Sequence, residues 1–299
     1  MSCVLIAQDT RVRKWSPMTV KPVKVGIVAP ACRLDAEDAR VVEDVAVALY
    51  GARVSLMVHP QCHFSAGHFA GNDQSRASAF VEVANDPSID AVWFARGGYG
   101  SVRMVDMALS ELTAVAKTKT YLGFSDLGYL MGALYSRGFE KVVHGPMPAD
   151  ILRPGGRSAV ERALSYLVDM APTSIDPAAL SATKVVAFNL TILSHLIGTA
   201  HMPHLSGHVV MLEEVSEYMY RIDRSLAHIT SCEPMRGAAG IRLGRCSQVP
   251  PNDPAFGLDE VQVVQHWCKV SGIPYLGRAD IGHDVDNKVV PFGSVAMLS

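Results

Sequence analysis

The N-terminal half of the chain alternates short apolar runs rich in β-branched residues with longer segments of helical period, and this alternation constrains the fold more than any other feature. The apolar runs occupy residues 23–30, 51–58, 89–95 and 121–124. Apolar residues recur at helical spacing over residues 35–50 and 73–85. Strands that alternate with helices of this length predict an α/β fold, with a parallel sheet covered by helices on both faces.

The pattern changes after about residue 150. A Pro-Gly-Gly break at 154–156 is followed by a helical segment at about 158–170 and by a loop rich in Pro, Ser and Thr. From residue 184 short strands and turns predominate, at 185–188, 208–212, 240–245 and 289–292, with two helices near 190–196 and 259–271. We therefore predict an N-terminal α/β domain over residues 1–155, a linker helix and loop over 156–183, and a smaller β-rich domain over 184–299.

Composition limits the classes of partner. Of the 299 residues 49% are hydrophobic, which is ample for a packed core. The net charge is −2 and no basic stripe stands out, which argues against nucleic acid as a partner. No apolar run reaches the roughly 18 residues that span a bilayer. The short apolar run at 4–7 precedes the basic residues, the wrong order for a signal peptide, so we expect a cytoplasmic enzyme.

The cysteine and histidine patterns do not indicate a metal or redox centre. Six cysteines are spread along the chain without a C-x-x-C pair, so free buried thiols are expected. The eleven histidines include no H-E-x-x-H and no Cys/His knuckle spacing, and the pair His201 and His204 is a weak signal. We predict no metal site and no cofactor.

Segment 121–129 places Ser125 where a short strand breaks at Gly123 and a helix follows. A serine at such a break projects its hydroxyl from the end of the sheet, as in a nucleophile elbow. That hydroxyl would need a base and an orienting carboxylate elsewhere in the chain. The spacing is G-x-S-x-x-G rather than G-x-S-x-G, and serine is also a favoured helix N-cap. The segment alone therefore leaves a nucleophile and a cap both open.

A glycine turn, residues 96–100 (Arg-Gly-Gly-Tyr-Gly), follows the third predicted strand. Glycines permit close backbone approach, and such a turn can point N–H groups at an oxyanion or a phosphate. The turn matches neither G-x-G-x-x-G nor a Walker motif, so an ordinary turn stays the alternative. Because ligands bind at the carboxyl ends of parallel strands, the glycine turn and Ser125 are expected at the same edge of the sheet.

Two downstream segments offer a carboxylate and a histidine. The strand ending at residue 212 runs into Glu213 and Glu214, and since neighbours on a strand point to opposite faces, only one should reach a given site. His283 lies in a Gly/Asp/Asn turn, where an imidazole titrates near neutral pH. Singly these are typical of a solvated strand end and an ordinary turn. With Ser125 they supply a serine, a carboxylate and a histidine.

Taken together, the motifs resemble the LD-carboxypeptidases of murein recycling, a family of serine peptidases that also includes the microcin C self-immunity proteins. The resemblance runs from Val25 to about Met297. It rests on segments that match the family in the same order along the chain: 26–30 (GIVAP), 96–100 (RGGYG), 123–126 (GFSD), 189–190 (NL), 212–215 (LEEV), 220–224 (YRIDR), 240–244 (GIRLG) and 282–283 (GH) with Asn287. It implies a Rossmann-like N-terminal domain, a smaller β-rich C-terminal domain, an active site between them, and a homodimer.

The resemblance also implies roles for individual residues. Ser125 would be the nucleophile, His283 the general base and then the acid for the leaving amine, and Glu213 the group that orients His283. The oxyanion hole would be formed by the backbone N–H of Asp126 and by one of the glycine turn, Gly98 or Gly97.

Substrate recognition is less defined. Arg96 is a candidate for holding a terminal carboxylate by its location alone, and a salt bridge at the sheet edge is the alternative. One segment departs from the family pattern: Ala187 and Phe188 stand where two glycines usually precede the Asn-Leu pair. Because that segment lines the cleft in relatives, the substrate preference stays open.

The resemblance predicts hydrolysis of the amide between an L-centre and a terminal D-residue, in a cytoplasmic murein tetrapeptide ending in D-alanine. An immunity-type hydrolase of acyl-nucleotide antibiotics is the nearest alternative; it would want an aromatic platform, for which Trp93 and Trp267 are not obviously placed. A non-catalytic nucleotide- or sugar-binding protein predicts that Ser125 and His283 lie far apart. A metal hydrolase predicts sensitivity to chelators.

Overall fold

The computed structural model describes residues 21–294. The predictions for the N-terminal segment before Lys21, for Cys3 and for the end of the resemblance near Met297 fall outside these residues. The strands in chain order are β1 (Val23–Val28), β2 (Val54–Val58), β3 (Ala91–Phe94), β4 (Thr120–Gly123), β5 (Val142–His144), β6 (Val185–Asn189), β7 (Val209–Val215), β8 (Gly240–Ser247), β9 (Tyr275–Arg278) and β10 (Val290–Pro291). The α-helices are α1 (Ala36–Tyr50), α2 (Asp73–Asn85), α3 (Ser101–Leu109), α4 (Leu127–Ser136), α5 (Arg157–Asp169), α6 (Pro177–Ser181), α7 (Leu190–Leu196), α8 (Met219–Ser231) and α9 (Glu260–Ser271).

The first sheet is the predicted parallel sheet. Its strand order is β10-β5-β4-β3-β1-β2; β1 to β5 are parallel and β10 pairs antiparallel with β5. The strand β3 is buried on both faces, which explains its continuous apolar sequence. The helix predicted at 73–85 forms over those residues, where the Asn72 side chain accepts the N–H of Ser75. The α/β class is confirmed.

The second sheet, β6-β7-β8-β9, is also parallel; α7 and α9 pack on it, and α8 packs against both of these helices. This part of the chain therefore holds more helix than the sequence pattern indicated, because α8 was not predicted. The strand predicted at 289–292 shortens to β10 and pairs with β5 in the first sheet. The chain thus returns to the first sheet after completing the second.

The two sheets are joined closely by helix packing. A Cβ added at Gly132 of α4 would lie 2.8 Å from the Leu196 side chain of α7, and one at Gly128 would lie 3.3 Å from Ile192. The glycines therefore let α4, the helix after Ser125, lie directly against α7. The linker helix α5 packs on α1. No helix within residues 21–294 is long and apolar enough to cross a membrane.

Candidate active site

The structure brings Ser125, His283 and Glu213 together, and we call these three residues the candidate triad. The Nε2 atom of His283 lies 2.9 Å from Ser125 Oγ, and its Nδ1 atom lies 2.5 Å from Glu213 Oε2. Ser125 follows β4 of the first sheet, Glu213 lies on β7 of the second sheet, and His283 lies in the turn before β10. A non-catalytic protein with Ser125 and His283 far apart is disfavoured by this geometry.

Local backbone structure directs the Ser125 hydroxyl outward. The strand β4 ends at Gly123 and α4 begins at Leu127, and between them Ser125 has a φ of +60°. A residue with a Cβ rarely adopts such a φ, which concentrates at functional sites. Ser125 does not cap α4, because its Oγ faces His283 and the N-cap position is held by Asp126.

The two neighbouring glutamates face opposite ways, as strand geometry requires. Glu213 reaches His283 and is fully buried. Glu214 instead accepts hydrogen bonds from Asn189 Nδ2, the Thr191 backbone and hydroxyl, and the Val215 N–H. Glu213 is therefore the carboxylate of the site, and Glu214 fixes the start of α7.

Gly244 on β8 makes room for the histidine segment. A Cβ added there would lie 2.6 Å from the carbonyl oxygen of Ile281 and 3.0 Å from Glu213 Cβ. A side chain at this position would push the segment that carries His283 away from Glu213. The sequence motif at 240–244 marked this glycine, but its purpose needs the three-dimensional contact.

The charge of Glu213 controls the protonation of His283. Burial disfavours the imidazolium, but the Glu213 carboxylate and its hydrogen bond outweigh burial and raise the pKa of His283 above its ordinary value. Glu214 acts in the same direction and Arg153 acts against it. The site therefore stabilises the positive imidazolium that forms when His283 takes a proton.

Backbone N–H groups beside Ser125 are available for an oxyanion. A Cβ added at Gly97 would lie 3.1 Å from Ser125 Oγ, so the glycine turn touches the hydroxyl. Gly98 has a φ of +100° and lies against Cys32. Within residues 21–294 the N–H groups of Gly97, Gly98 and Asp126 donate to no acceptor of the protein. Gly97 therefore contacts the hydroxyl, Gly98 lines the same cavity, and Asp126 follows Ser125 in the chain. The N–H groups of all three are unused among the described residues.

The Asp126 side chain has a second function that the sequence analysis missed. Its Oδ2 atom accepts the N–H of Ser101 at 2.9 Å, and the Ser101 hydroxyl donates to the Asp126 carbonyl at 2.8 Å. These bonds tie the start of α3, directly after the glycine turn, to the residue beside Ser125. Burial raises the pKa of Asp126, although the hydrogen bonds from Ser101 oppose the rise.

A buried histidine, His144, supports the turn that carries His283. Its Nε2 atom lies 3.1 Å from Asn287 Oδ1, and the same oxygen accepts the Gly282 N–H at 3.2 Å. Since that oxygen is an acceptor, His144 Nε2 carries the proton. Burial lowers the pKa of His144, which keeps it neutral. Asn287 was part of a sequence motif, whereas His144 was not identified.

A cavity of about 450 Å³ opens over Ser125 and His283. Its other lining residues are Arg96, Gly97, Gly98, Phe124, Met147, Ala149, Asp150, Leu152, Arg153 and Val215. Arg96 is exposed at the rim and forms no ion pair with any residue between 21 and 294. In the same range no group of three or more His, Cys, Asp or Glu is arranged to hold a metal ion.

Four residues discussed for specificity are absent from the lining of this cavity. Ala187 and Phe188 are buried in β6, where Phe188 packs against Phe292 with ring centroids 5.2 Å apart. Trp93 is fully buried and donates to the Pro146 carbonyl. Trp267 donates to Asp223 on α8 and also lies elsewhere. Ala187 and Phe188, which replace the two glycines usual in the family, therefore affect packing between the sheets rather than the wall of the cavity.

Comparison with known proteins places these features in a family. Residues 25–145 match the LD-carboxypeptidase N-terminal domain and residues 183–298 match the LD-carboxypeptidase C-terminal domain. These matches define a hydrolase of the peptidase class. The chain belongs to the LD-carboxypeptidase family, which confirms the resemblance inferred from the motifs.

Individual relatives cover nearly the whole chain. A Streptomyces coelicolor protein, provisionally named a carboxypeptidase, is 31% identical over 288 residues, 92% of this chain and 90% of its own. The murein tetrapeptide carboxypeptidase of Pseudomonas aeruginosa is 26% identical over 96% of this chain and 97% of its own.

Solved structures share the fold. The muramoyltetrapeptide carboxypeptidase of Oxalobacter formigenes has a TM-score of 0.70 at 23% identity, with 90% of this chain and 93% of that chain covered. The microcin C7 self-immunity protein MccF in complex with aspartyl sulfamoyl adenosine has a TM-score of 0.74 at 16% identity, with 93% of each chain covered. At these identities both likenesses bear on the fold alone.

Proposed function

We propose that this protein is a serine LD-carboxypeptidase that hydrolyses the L,D amide bond of a murein tetrapeptide and releases D-alanine. The observation that carries the proposal is the candidate triad: Ser125 Oγ lies 2.9 Å from His283 Nε2, and Glu213 holds the opposite nitrogen. The Pseudomonas aeruginosa relative, named for this activity and aligned over 96% of the chain, supports the choice of substrate.

The first step is attack by Ser125 on the carbonyl carbon of the scissile amide. His283 Nε2 removes the hydroxyl proton as the new C–O bond forms, and becomes an imidazolium. Glu213 accepts the Nδ1 hydrogen bond, holds the ring in the tautomer that leaves Nε2 free, and stabilises the positive charge. The raised pKa of His283 reflects that stabilisation.

The carbonyl oxygen gains negative charge in this step. The N–H of Asp126 and one N–H of the glycine turn, from Gly98 or Gly97, would donate hydrogen bonds to it. The contact between Gly97 and Ser125 Oγ supports this arrangement, because an oxygen bound at the attacked carbon lies close to the attacking hydroxyl.

The second half returns the enzyme to its starting state. The imidazolium of His283 gives its proton to the leaving amine as the C–N bond breaks, which releases D-alanine and leaves an ester on Ser125. Water then attacks the ester, with His283 as its base, and the shortened peptide is released with a new carboxylate. Each proton removed by His283 is returned, so no cofactor is required.

From the family resemblance we further propose that the protein acts in the cytoplasm on peptides derived from murein and that it assembles as a homodimer. Sedimentation equilibrium of the purified chain tests the assembly: a mass of about 32.2 kDa, that of one chain, would contradict the dimer.

The proposal is tested by incubating the purified protein with L-Ala-D-Glu-meso-diaminopimelyl-D-Ala and following the products by mass spectrometry. We expect loss of one D-alanine, unchanged by a chelator. The same peptide ending in L-alanine is the matched control and should stay intact. No release of D-alanine, or release abolished by the chelator, would overturn the proposed reaction.

An acyl-nucleotide hydrolase is the second candidate, because the fold likeness to MccF is as high as 0.74 in TM-score. The cavity argues against it. Among the described residues that line the cavity, Phe124 alone has a Phe, Tyr or Trp ring. Phe124 is only 2% exposed, so it offers little surface for a base to stack on. Aspartyl sulfamoyl adenosine in the same assay separates the two candidates.

A further inference from the structure

Arg153 is a cation that the structure holds in a fixed position on the His283 side of the cavity. Its Nε atom donates to Asp150 Oδ1 at 2.8 Å, and its Nη1 atom donates to the carbonyl oxygen of His283 at 2.8 Å. A guanidinium has five N–H donors, and within residues 21–294 the two on Nη2 meet no acceptor. The side chain is 35% exposed, so a ligand can reach it.

Asp150 makes this position rigid. It is buried, and its second oxygen accepts the N–H of Met147 at 2.8 Å. Both carboxylate oxygens are therefore engaged, one by the backbone and one by Arg153. A cation fixed before binding loses little conformational freedom when a ligand arrives, which favours affinity. The rim residue Arg96, by contrast, has no such partner among the described residues.

The chemistry of the proposed reaction distinguishes the two sides of the cavity. The oxyanion faces the glycine turn, next to Arg96. The leaving amine must face His283, because His283 Nε2 protonates it. In a terminal amino acid the carboxylate carbon is only two bonds from that amine, so the carboxylate must lie on the His283 side as well. Arg153 is bound to the backbone of His283 itself.

The short helical turn before Arg153 provides the remaining surface. Met147, Ala149 and Leu152 line the cavity along the same segment and are apolar. Such a surface suits a small apolar side chain, the methyl group of alanine, beside a carboxylate held by the guanidinium.

We propose that Arg153 is the residue that selects a free terminal carboxylate, by donating from Nη2 to the carboxylate of the departing D-residue. This specificity role rests on the proposed carboxypeptidase function and makes the enzyme an exopeptidase. Arg96, on the oxyanion side, is left to meet carboxylates in the acyl part of the peptide.

The test compares two substrates, the tetrapeptide ending in D-alanine and the same peptide ending in D-alaninamide. A charge-assisted bond to a carboxylate is absent with the amide, so the wild type should prefer the acid by about 10- to 100-fold in kcat/KM. Arg153→Met should remove this preference, because kcat/KM falls further for the acid than for the amide, whereas loss of the bond to the His283 carbonyl affects both substrates alike. Arg153→Lys, which keeps the charge but not the fork, should retain part of the preference.

Two controls isolate the effect. Arg157→Met makes the same change four residues on, where the arginine pairs with Glu161 on the surface of α5 and is absent from the cavity lining; it should leave both substrates unaffected. Arg96→Met should keep the acid-to-amide ratio. Equal losses for acid and amide in Arg153→Met, or a lost ratio in Arg96→Met, would overturn the role of Arg153.

Hydrolysis by the wild type distinguishes an error in the proposed carboxypeptidase function from an error in the role of Arg153. A wild type that hydrolyses neither peptide contradicts the proposed carboxypeptidase and the role of Arg153 with it. A wild type that hydrolyses both peptides equally supports the hydrolase but overturns the selection of a terminal carboxylate. If Arg153→Met does not fold, the ratio in Arg153→Lys decides the question: a ratio equal to that of the wild type contradicts the inference.

Discussion

Ser125 combines a left-handed backbone with a side chain at hydrogen-bond distance from His283. A φ of +60° costs a non-glycine residue about 1–3 kcal/mol, and the surrounding bonds must maintain it. The Gly128 N–H donates to the Ser125 carbonyl at 2.9 Å, and the Leu127 N–H donates to the Phe124 carbonyl at 3.2 Å. The first turn of α4 therefore holds the strained residue in place.

Ser125→Gly and Ser125→Ala should separate this strain from the chemistry. Both variants lack the hydroxyl and should lose D-alanine release. Only glycine relieves the unfavourable φ, so Ser125→Gly should be more stable than Ser125→Ala by about 1 kcal/mol in the free energy of unfolding. Urea titration monitored by circular dichroism measures the difference. A less stable glycine variant would contradict the strain.

Glu213→Gln should move the acid limb of the pH–rate profile. Activity needs neutral His283, so kcat/KM falls as pH drops through its folded pKa, which Glu213 raises above the ordinary value of about 6.5. The other charged or titratable groups that interact with His283 include Glu214, Arg153, Asp150 and the neutral His144. Without the Glu213 charge the acid limb should shift to lower pH, and kcat should fall by about 10³- to 10⁴-fold. An unshifted limb would contradict the assigned partner.

At the level of secondary-structure elements, the geometry of the site depends on where α3 and α4 begin and on the face of β7 from which each glutamate projects. The Asp126 carboxylate joins the start of α3 to the turn before α4, which fixes the glycine turn relative to Ser125. The opposite orientation of Glu213 and Glu214 follows from β7. Secondary-structure ends therefore set distances between groups that lie on different segments.

Asp126→Ala should lower both stability and turnover. It leaves the buried Ser101 N–H without its acceptor, which costs about 1–2 kcal/mol in the free energy of unfolding. Because the glycine turn loses its anchor, kcat should fall by more than tenfold while KM changes little. Asp259→Ala is the matched control, since Asp259 caps α9 by accepting the Gln262 N–H. It should lose similar stability and keep kcat; equal kcat in both variants would contradict the coupling.

Much of the secondary structure could be predicted from the sequence, because the buried apolar residues recur at the spacing of the strand or helix that carries them. The apolar runs of β1, β3 and β4 and the period of α1 and α2 indicated a parallel sheet, and the structure has one. The periodicity of α8 was present in Met219, Ile222, Leu226 and Ile229 but was overlooked. The two-residue strand β10 carries no period, so its pairing with β5 could not be predicted.

The residues of the candidate triad could not be predicted from the spacing of apolar residues. Ser125, Glu213 and His283 were identified because motifs in order matched a family, and no single motif was sufficient. Contacts across the fold were not accessible from the sequence. The bond from Arg153 to the His283 carbonyl joins residues 130 apart in the chain, and neither residue's local sequence indicates the other.

At the scale of the whole molecule, the candidate triad exists only when both sheets are in place. Ser125 comes from the first sheet and Glu213 from the second, while His283 precedes the strand that returns to the first. Val289 and Val290, at this return, are fully buried. The chain therefore passes through the site on its way back to the first sheet, which couples the folding of the two parts.

This coupling predicts one cooperative unfolding transition. In a Trp15→Phe/Trp267→Phe variant, Trp93 is the remaining tryptophan and lies fully buried in β3 of the first sheet. Its fluorescence should change at the same urea concentration as far-UV circular dichroism, which reports on both sheets. Enzymatic activity should be lost at that concentration too. Separate midpoints would show that the sheets unfold independently.

The role of Ser125 as the nucleophile is tested by comparing kcat/KM for D-alanine release between the wild type and Ser125→Ala. The tetrapeptide is the substrate, and liquid chromatography with mass spectrometry quantifies the product. We expect kcat/KM to fall by about 10⁴-fold or more in Ser125→Ala, with a circular dichroism spectrum like that of the wild type. Turnover by Ser125→Ala within tenfold of the wild type would show that Ser125 is not the nucleophile.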